Sequence, residues 1–560
     1  MGLRHVVEKK RLVLAVGTAV FAAAAFFSYS FLPIFSGTGD NSPDENSNRF
    51  FSRLFAETGR LWVFEPIDQM YPGTVHPRSV AVRDSFLVPG GFLGLPLIYG
   101  GLAKITGPVT LPFLTAFFAV LGLSGFYLLL KGFFGRPMAL ISTVLLAVNP
   151  VWWYQANRSF MPNTLFVSLL LLAAGFFWGK PIDSLVRRRR TSGFLGDLAD
   201  ALVAGVFLAL ALAVRPPEAY WIFWAALSLV LAYGLVRQWP RILAVFLAAG
   251  LTVLPILLMN RTVYGGFLSS GYGFSPTDVS GGGLPGGMGA RLIGPLQPYL
   301  FPLGFAPRTA LTNFWNFGIG LFSWWWLLVA AAAVAAIFFW ARNRNRSGQG
   351  VRGGVGWLVA GTVISAWLVA FYGSWTIRDN PDPEAITVGS SYLRYWLPIF
   401  VLSVLPVGWG LERVWSSRVR SGRFLAVAAI SAIAVISGLS VLFAPQEGLL
   451  AIRKNLAESE RKAQWVFERV GSRKLTVTDR ADKYLWPERP VIYPLRSDST
   501  WEALAHLVPR MGQVHYFGVT FPERDMEWLN TVKLPPLKLR IRLVEGMGDE
   551  SLYVFEAQPD

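Results

Sequence analysis

Two adjacent carboxylates, Asp44 and Glu45, stand in the stretch Ser42-Pro43-Asp44-Glu45-Asn46-Ser47-Asn48-Arg49-Phe50-Phe51, just after the first long apolar run of the chain. A carboxylate at a membrane surface is suited to act as general base toward a hydroxyl presented at that surface. The same residues also spell an ordinary helix start, with Ser42 as the cap and acids favoured in the first turn. Phe51, Leu54 and Phe55 follow at helical spacing, so the stretch reads as a short amphipathic helix held against the bilayer. Neighbouring helical positions point about 100° apart, so only one of the two acids can face a single reacting hydroxyl, and the other is left to cap or to bind elsewhere.

Arginines supply the second kind of chemistry. Arg158, Arg215 and Arg394 lie at the ends of apolar runs, and Arg83 precedes Asp84 in the long loop after the first run. Charges placed there are costly to bury, and a guanidinium offers a planar, permanently charged fork that matches phosphate. The plainer alternatives are that Arg215 pairs with Glu218, three residues on, and that the others reach out among aromatic side chains at the membrane interface.

The elements that must position these residues are membrane helices. Of 560 residues, 53% are hydrophobic and only 15% charged, which excludes an ordinary soluble protein and fits a polytopic membrane one. The net charge of +17 comes from short basic clusters between apolar runs, so it speaks for orientation in the bilayer and against nucleic acid as a partner. With no cysteine in the chain, disulfides and thiolate chemistry are excluded. The histidines His5, His76, His506 and His515 are scattered, so any metal would need oxygen ligands.

Apolar runs fall at about 12–34, 86–106, 109–130, 138–154, 162–179, 197–214, 218–236, 242–259, 317–340, 355–373, 392–411 and 424–443. Run 86–106 is broken by Pro89, Gly90, Gly91, Gly94, Pro96, Gly100, Gly101 and Lys104, and reads as interfacial or re-entrant. Removing it leaves about eleven spans and puts every basic cluster, including Arg187 to Arg190, in the cytoplasm with the N-terminus. The stretches 35–108, 155–161, 260–316 and 374–391, and the region after 444, then share the outer face. The tract Gly281-Gly282-Gly283 with Gly286-Gly287 reads as a mobile flap, and Arg378 to Glu384 adds acids to that face.

Beyond about 446 the character becomes soluble. A helix at 447–470 precedes strand patterns at 474–478, 490–493, 513–517, 538–542 and 552–555, with helical patterns at 500–510 and 523–529. The fold expected is thus a polytopic α-helical membrane domain at 1–445, whose 35–108 loop carries the acids and juxtamembrane helices, followed by a small extracytoplasmic α/β domain at 446–560. That domain carries no nucleophile elbow, phosphate loop or metal spacing, so a covering or acceptor-guiding role is expected of it.

The order of features resembles the GT-C superfamily of polyprenyl-phosphate-dependent glycosyltransferases, which includes protein O-mannosyltransferases and lipid A aminoarabinose transferases. The matching pieces are Asp44-Glu45 after the first run, the Pro/Gly-rich segment Val88 to Gly107, Gly132-Phe133-Phe134-Gly135-Arg136 and Ala147-Val148-Asn149-Pro150. Arg215 after an alanine- and leucine-rich run and Leu393-Arg394-Tyr395-Trp396-Leu397-Pro398 complete the set, over about 1–440. The resemblance implies transfer of a sugar from a polyprenyl phosphate to a glycan, lipid or protein acceptor at the plasma membrane. It implies Asp44 as general base, outer-face arginines such as Arg394 on the lipid phosphate with Arg215, Arg158, Arg83 and Tyr395 in support, and a divalent cation, Mg2+ or Mn2+. Where relatives carry an acid at the outer start of the fourth span this chain has Asn163, which cannot act as a base; with Glu45 it is expected to support the acceptor or the metal. Three other classes stay open: a transporter or flippase, a glycan polymerase or ligase, and a non-catalytic interaction subunit.

Overall fold

The computed structural model describes residues 2–37, 40–182, 193–232, 238–273, 301, 304–343, 349–377, 385–417, 421–471 and 474–558. The glycine tract at 281–287, the stretch 378–384 and the basic cluster at 187–190 fall outside them. The chain forms a mostly helical, multi-pass membrane protein with a small C-terminal sheet. It divides into two compact units, one of residues 1–35, 113–254 and 278–452, the other of 36–112, 255–277 and 453–560.

In the first unit the apolar runs become helices because only a helix satisfies every backbone group of a single segment within lipid. Seven described helices are long and apolar enough to cross a membrane, or eight if the bent pair Arg136–Ala147 and Pro150–Asn157 forms one span. Ala15–Tyr29 and Val359–Gly373 are shorter apolar helices, and Ala219–Ala232 has 14 residues, so the expected eleven spans exceed what helix length carries. Run 138–154 is not one straight helix: the two halves meet at 55°. Asn149 starts the second half by accepting from the backbone nitrogens of Val151 and Trp152, with Pro150 at the first helical position.

Leu114–Phe134 and Pro162–Gly179 pack almost backbone to backbone. A Cβ on Gly125 would lie 2.6 Å from the Leu171 main chain, and one on Gly175 would lie 2.5 Å from the Gly125 carbonyl oxygen. Lipid gives no hydrophobic drive for helix association, so such close contact is how membrane helices bind one another. Polar side chains inside this unit find partners in neighbouring helices: Tyr29 donates to the Ala147 carbonyl at 2.7 Å, and Trp325 to Ser403 Oγ at 2.9 Å.

The second unit gathers three separated stretches and is larger than the C-terminal region alone. The helix Pro43–Thr58 is followed by β1 (Val63–Phe64), β2 (Val80–Arg83) and β3 (Phe86–Pro89), an antiparallel sheet ordered β1-β3-β2. Run 86–106 thus resolves into β3 and the helix Gly94–Thr106, whose 13 residues are too few to span. That helix presses on the helix Pro43–Thr58, where a Cβ on Gly100 would meet the Ser52 carbonyl at 2.6 Å.

The C-terminal stretch contributes β4 (Thr476–Thr478), β5 (Val491–Ile492), β6 (Gln513–Val519), β7 (Leu539–Met547) and β8 (Glu550–Ala557). They form a sheet ordered β5-β4-β6-β8-β7, parallel at β5-β4-β6 and antiparallel at β6-β8-β7. All five strands and the helices Leu449–Arg469, Asp498–Met511 and Glu523–Trp528 lie where the sequence patterns placed them, within a few residues except for the longer β7. The short helix Asp482–Leu485 carries no such pattern. One apolar core unites Phe51, Val80, Leu87 and Leu93 with Val466, Leu485, Trp486 and Phe517, which is why the acidic loop joins this unit.

Candidate functional site

In the second unit the two adjacent acids separate in role. Ser42, in extended backbone at φ −134°, caps the helix: its hydroxyl accepts from the Glu45 nitrogen at 3.3 Å, and Glu45 Oε2 accepts from the Ser42 nitrogen at 2.9 Å. This reciprocal box absorbs Glu45, which is buried, in helix capping. Asp44, one position back and about 100° round the helix, is half-buried and points to another neighbour. Its Oδ1 accepts from the hydroxyl of Ser79 at 2.5 Å.

Ser79 is held tightly. Its backbone is left-handed at φ 59°, and its carbonyl accepts from Ser47 Oγ at 2.6 Å and from the Gly90 nitrogen at 3.0 Å. Only a glycine fits at 90, where a Cβ would lie 2.5 Å from the Ser79 main chain. Next to it, Arg78 grips Asp482 with Nη2 at 2.6 Å, Nε at 3.0 Å and its backbone nitrogen at 2.9 Å. Burial opposes the Arg78 charge, but the hydrogen bonds it donates to Asp482 and the charge of that carboxylate outweigh it and raise the guanidinium above its ordinary value. Sequence reasoning missed both residues; no pattern in His76-Pro77-Arg78-Ser79 points to a partner 404 residues away.

Asp40 was missed too. It is held by Arg49 Nε at 2.6 Å, and burial pushes its carboxyl up to about 7 although Arg49 works the other way. Arg83, expected on phosphate, belongs to this unit and serves a helix end: its Nη1 donates to the carbonyls of Val263 at 3.1 Å and Thr262 at 3.4 Å. A guanidinium there satisfies the last carbonyls of the helix Trp239–Tyr264.

The first unit holds the remaining arginines, and Tyr395 is their meeting point. The Arg215 and Arg394 guanidinium carbons lie 4.8 Å and 5.3 Å from the Tyr395 ring centroid, and Tyr372 stacks on the same ring at 4.7 Å. Arg215 Nε donates to Glu218 Oε1 at 2.8 Å and its Nη2 to the Tyr372 hydroxyl at 3.3 Å. Its charge is therefore already compensated in a buried pair, the plainer of the two sequence readings.

Arg394 sits on the short helix Ser391–Tyr395, capped by Ser390, with Nη1 3.3 Å from Met161 Sδ. Asn163 Nδ2 donates to the Arg394 carbonyl at 2.9 Å, so this amide fixes the backbone of the arginine. Asn163 Oδ1 is buried and has no protein partner among the described residues. Arg158 is buried and donates to the Tyr154 hydroxyl at 3.2 Å. The structure thus brings together Arg215, Arg394, Tyr395 and Asn163, and places Asp44, Glu45 and Arg83 in the other unit. The first unit also contains an apolar chamber of about 550 Å³, lined among others by Phe314, Trp326, Val369 and Leu402.

No family model matches the chain, and no curated protein matches it. Several solved structures are similar to it at low identity. One is ArnT from Cupriavidus metallidurans bound to undecaprenyl phosphate, at 12% identity and a TM-score of 0.49, covering 97% of this chain and 98% of that one. Another is the archaeal oligosaccharyltransferase AglB from Archaeoglobus fulgidus in complex with an inhibitory peptide and a dolichol-phosphate, at 12% identity and a TM-score of 0.45, covering 92% of this chain and 70% of that one. At that similarity neither transfers a residue role or an activity to this chain.

Among the described residues no three His, Asp or Glu side chains converge on a common point. Glu45 is engaged in the capping box, and Asn163 stands beside Arg394 in the other unit. Neither residue stands, among the described residues, in a cluster of carboxylates or histidines able to hold a divalent cation.

Proposed function

We propose that this chain is an integral-membrane glycosyltransferase that moves a sugar from a polyprenyl phosphate to a glycan, lipid or protein acceptor on the outer face of the plasma membrane. The observation that carries the reading is the division between the adjacent acids: Glu45 takes part in the helix cap, while Asp44 turns away from it and accepts from Ser79. The GT-C-like order of motifs along the chain gives the reaction class.

In this reading the acceptor oxygen attacks the anomeric carbon as its proton passes to Asp44. The bond from that carbon to the phosphate oxygen breaks, and its electron pair leaves with the polyprenyl phosphate. Arg394 bears the charge that grows on the leaving phosphate; Arg158 lies on the same unit and supports it. Arg215, neutralised by Glu218, serves instead to hold the Tyr395 ring beside Arg394. The apolar chamber is of a kind that accepts part of an isoprenoid tail. The N-terminus lies in the cytoplasm and 446–560 outside, where the C-terminal sheet guides the acceptor.

The test compares surface glycans and lipids of a deletion strain and its parent by mass spectrometry, with plasmid-borne wild type and Asp44→Asn as the two complementations. The parent should carry a sugar that the deletion lacks; wild type should restore it and Asp44→Asn should not, since loss of a general base lowers rate about 100- to 10,000-fold. Full restoration by a normally folded Asp44→Asn would refute Asp44 as the base.

A further inference from the structure

We propose that Ser79 is a positioning residue for Asp44: its hydroxyl fixes the rotation of the carboxylate that takes the acceptor's proton. The inference rests on the glycosyltransferase reading and extends it to a residue outside every motif of the sequence. The hydroxyl donates to Asp44 Oδ1 at 2.5 Å, the short, charge-assisted kind of hydrogen bond. A carboxylate on the first turn of a helix turns about its side-chain torsions unless something holds it, and only one oxygen can meet the incoming proton. Binding Oδ1 fixes the rotation of the carboxylate.

The support behind Ser79 is what separates a positioning group from a passing contact. Its carbonyl is fixed from two sides, by Ser47 on the same helix as Asp44 and by Gly90 at the end of β3. Its neighbour Arg78 is clamped to the fully buried Asp482. The left-handed backbone at φ 59° turns the side chain toward the helix, a conformation in which serine is uncommon and glycine is at ease. A residue needed only for the turn would be served better by glycine. What glycine lacks is the hydroxyl.

That contrast makes the test. Full-length Ser79→Gly, Ser79→Ala and Ser79→Thr are expressed in the deletion strain at matched membrane levels. The initial rate at which isolated membranes restore the missing sugar from their own donor is followed by mass spectrometry. Gly relaxes the backbone and removes the hydroxyl, Ala strains it and removes the hydroxyl, and Thr strains it more but keeps the hydroxyl. Positioning predicts that Gly and Ala fall together, by roughly tenfold, the loss of one hydrogen bond to a charged group, while Thr stays near wild type. If Thr does not accumulate, Ser79→Asn takes its place, because asparagine tolerates the left-handed region and offers a donor. Gly at the wild-type rate, or Gly above Thr and Asn, would overturn the proposal in favour of a backbone role. Asp44→Asn is run alongside: if it is inactive while Gly is normal, the Ser79 inference alone falls; if it is fully active, the reading of Asp44 falls and takes the Ser79 inference with it.

Discussion

Removing Arg78 should harm the protein far more than removing its partner Asp482, although both substitutions delete the same ion pair. The Asp482 side chain is 0% exposed and the Arg78 side chain 30% exposed. Arg78→Ala strands a carboxylate that has lost two guanidinium donors and keeps only the backbone nitrogen at 2.9 Å. Uncompensated charge of that kind costs about 3–5 kcal/mol. Asp482→Ala leaves a guanidinium that still lies over the Tyr493 ring at 4.9 Å and can turn to water, so its loss is nearer the ~1.5–3 kcal/mol of charged hydrogen bonds, reduced by that solvation. For a unit of this size 1 kcal/mol corresponds to about 2–4 °C. Arg78→Ala should therefore lower the unfolding midpoint of the detergent-purified full chain by roughly 10 °C and Asp482→Ala by roughly half that. Replacing both, Arg78→Met with Asp482→Leu, should recover much of the loss, since a buried pair exchanged for apolar groups is often neutral. Midpoints are read from loss of monodispersity on heating at one scan rate. Equal losses, or a larger one for Asp482→Ala, would refute the argument from burial.

Arg394→Lys keeps the charge and loses the paired donors, so it should lose most of the transfer rate while Arg215→Lys behaves as a stability variant; normal kinetics for Arg394→Lys would remove it from the phosphate role. For topology, the chain's lack of cysteine allows single probes: an impermeant thiol reagent on intact cells should label Ser499→Cys and spare Ser417→Cys, and the reverse would invert the proposed orientation. His515 is buried with no partner for Nδ1, and burial, aided by Lys474 and Arg489, lowers it from 6.5 to about 4. Its folded value lies below its unfolded one, so its contribution is complete above about pH 6.5 and is lost as pH falls to about 4. His515→Gln should flatten the stability profile across that window, measured by the same heating assay; an unchanged profile would assign the acid loss to other groups.

What could be read from the sequence was local. The Ser42-x-x-Glu45 spacing contains the capping box, and the i,i+3 spacing of Arg215 and Glu218 contains their pair. Apolar runs became helices and alternating patterns became strands because those periodicities are imposed by backbone geometry. Asn149-Pro150 was in view as a break: one helix ends at Ala147 and the next starts at 55° to it, capped by the Asn149 side chain. The contacts of Ser79 with Asp44 and of Arg78 with Asp482 were illegible for a different reason. They depend on tertiary pairing between stretches whose own patterns show only a loop and one turn of helix.

The second unit's assembly from three separated stretches has a consequence for the timing of biogenesis. During synthesis 36–112 emerges early, but the partners of Asn46 are the carbonyls of Lys483 and Trp486, and the partner of Arg78 is Asp482. Until the ribosome has made those late residues and they have reached the same side of the bilayer, the acidic stretch lacks half of its core and the clamp beside Ser79. A nascent or prematurely terminated chain would insert its early helices and still carry an unfinished Asp44 site. Chains that stop before the last hundred residues would therefore leave apolar surface of this unit open to proteolysis.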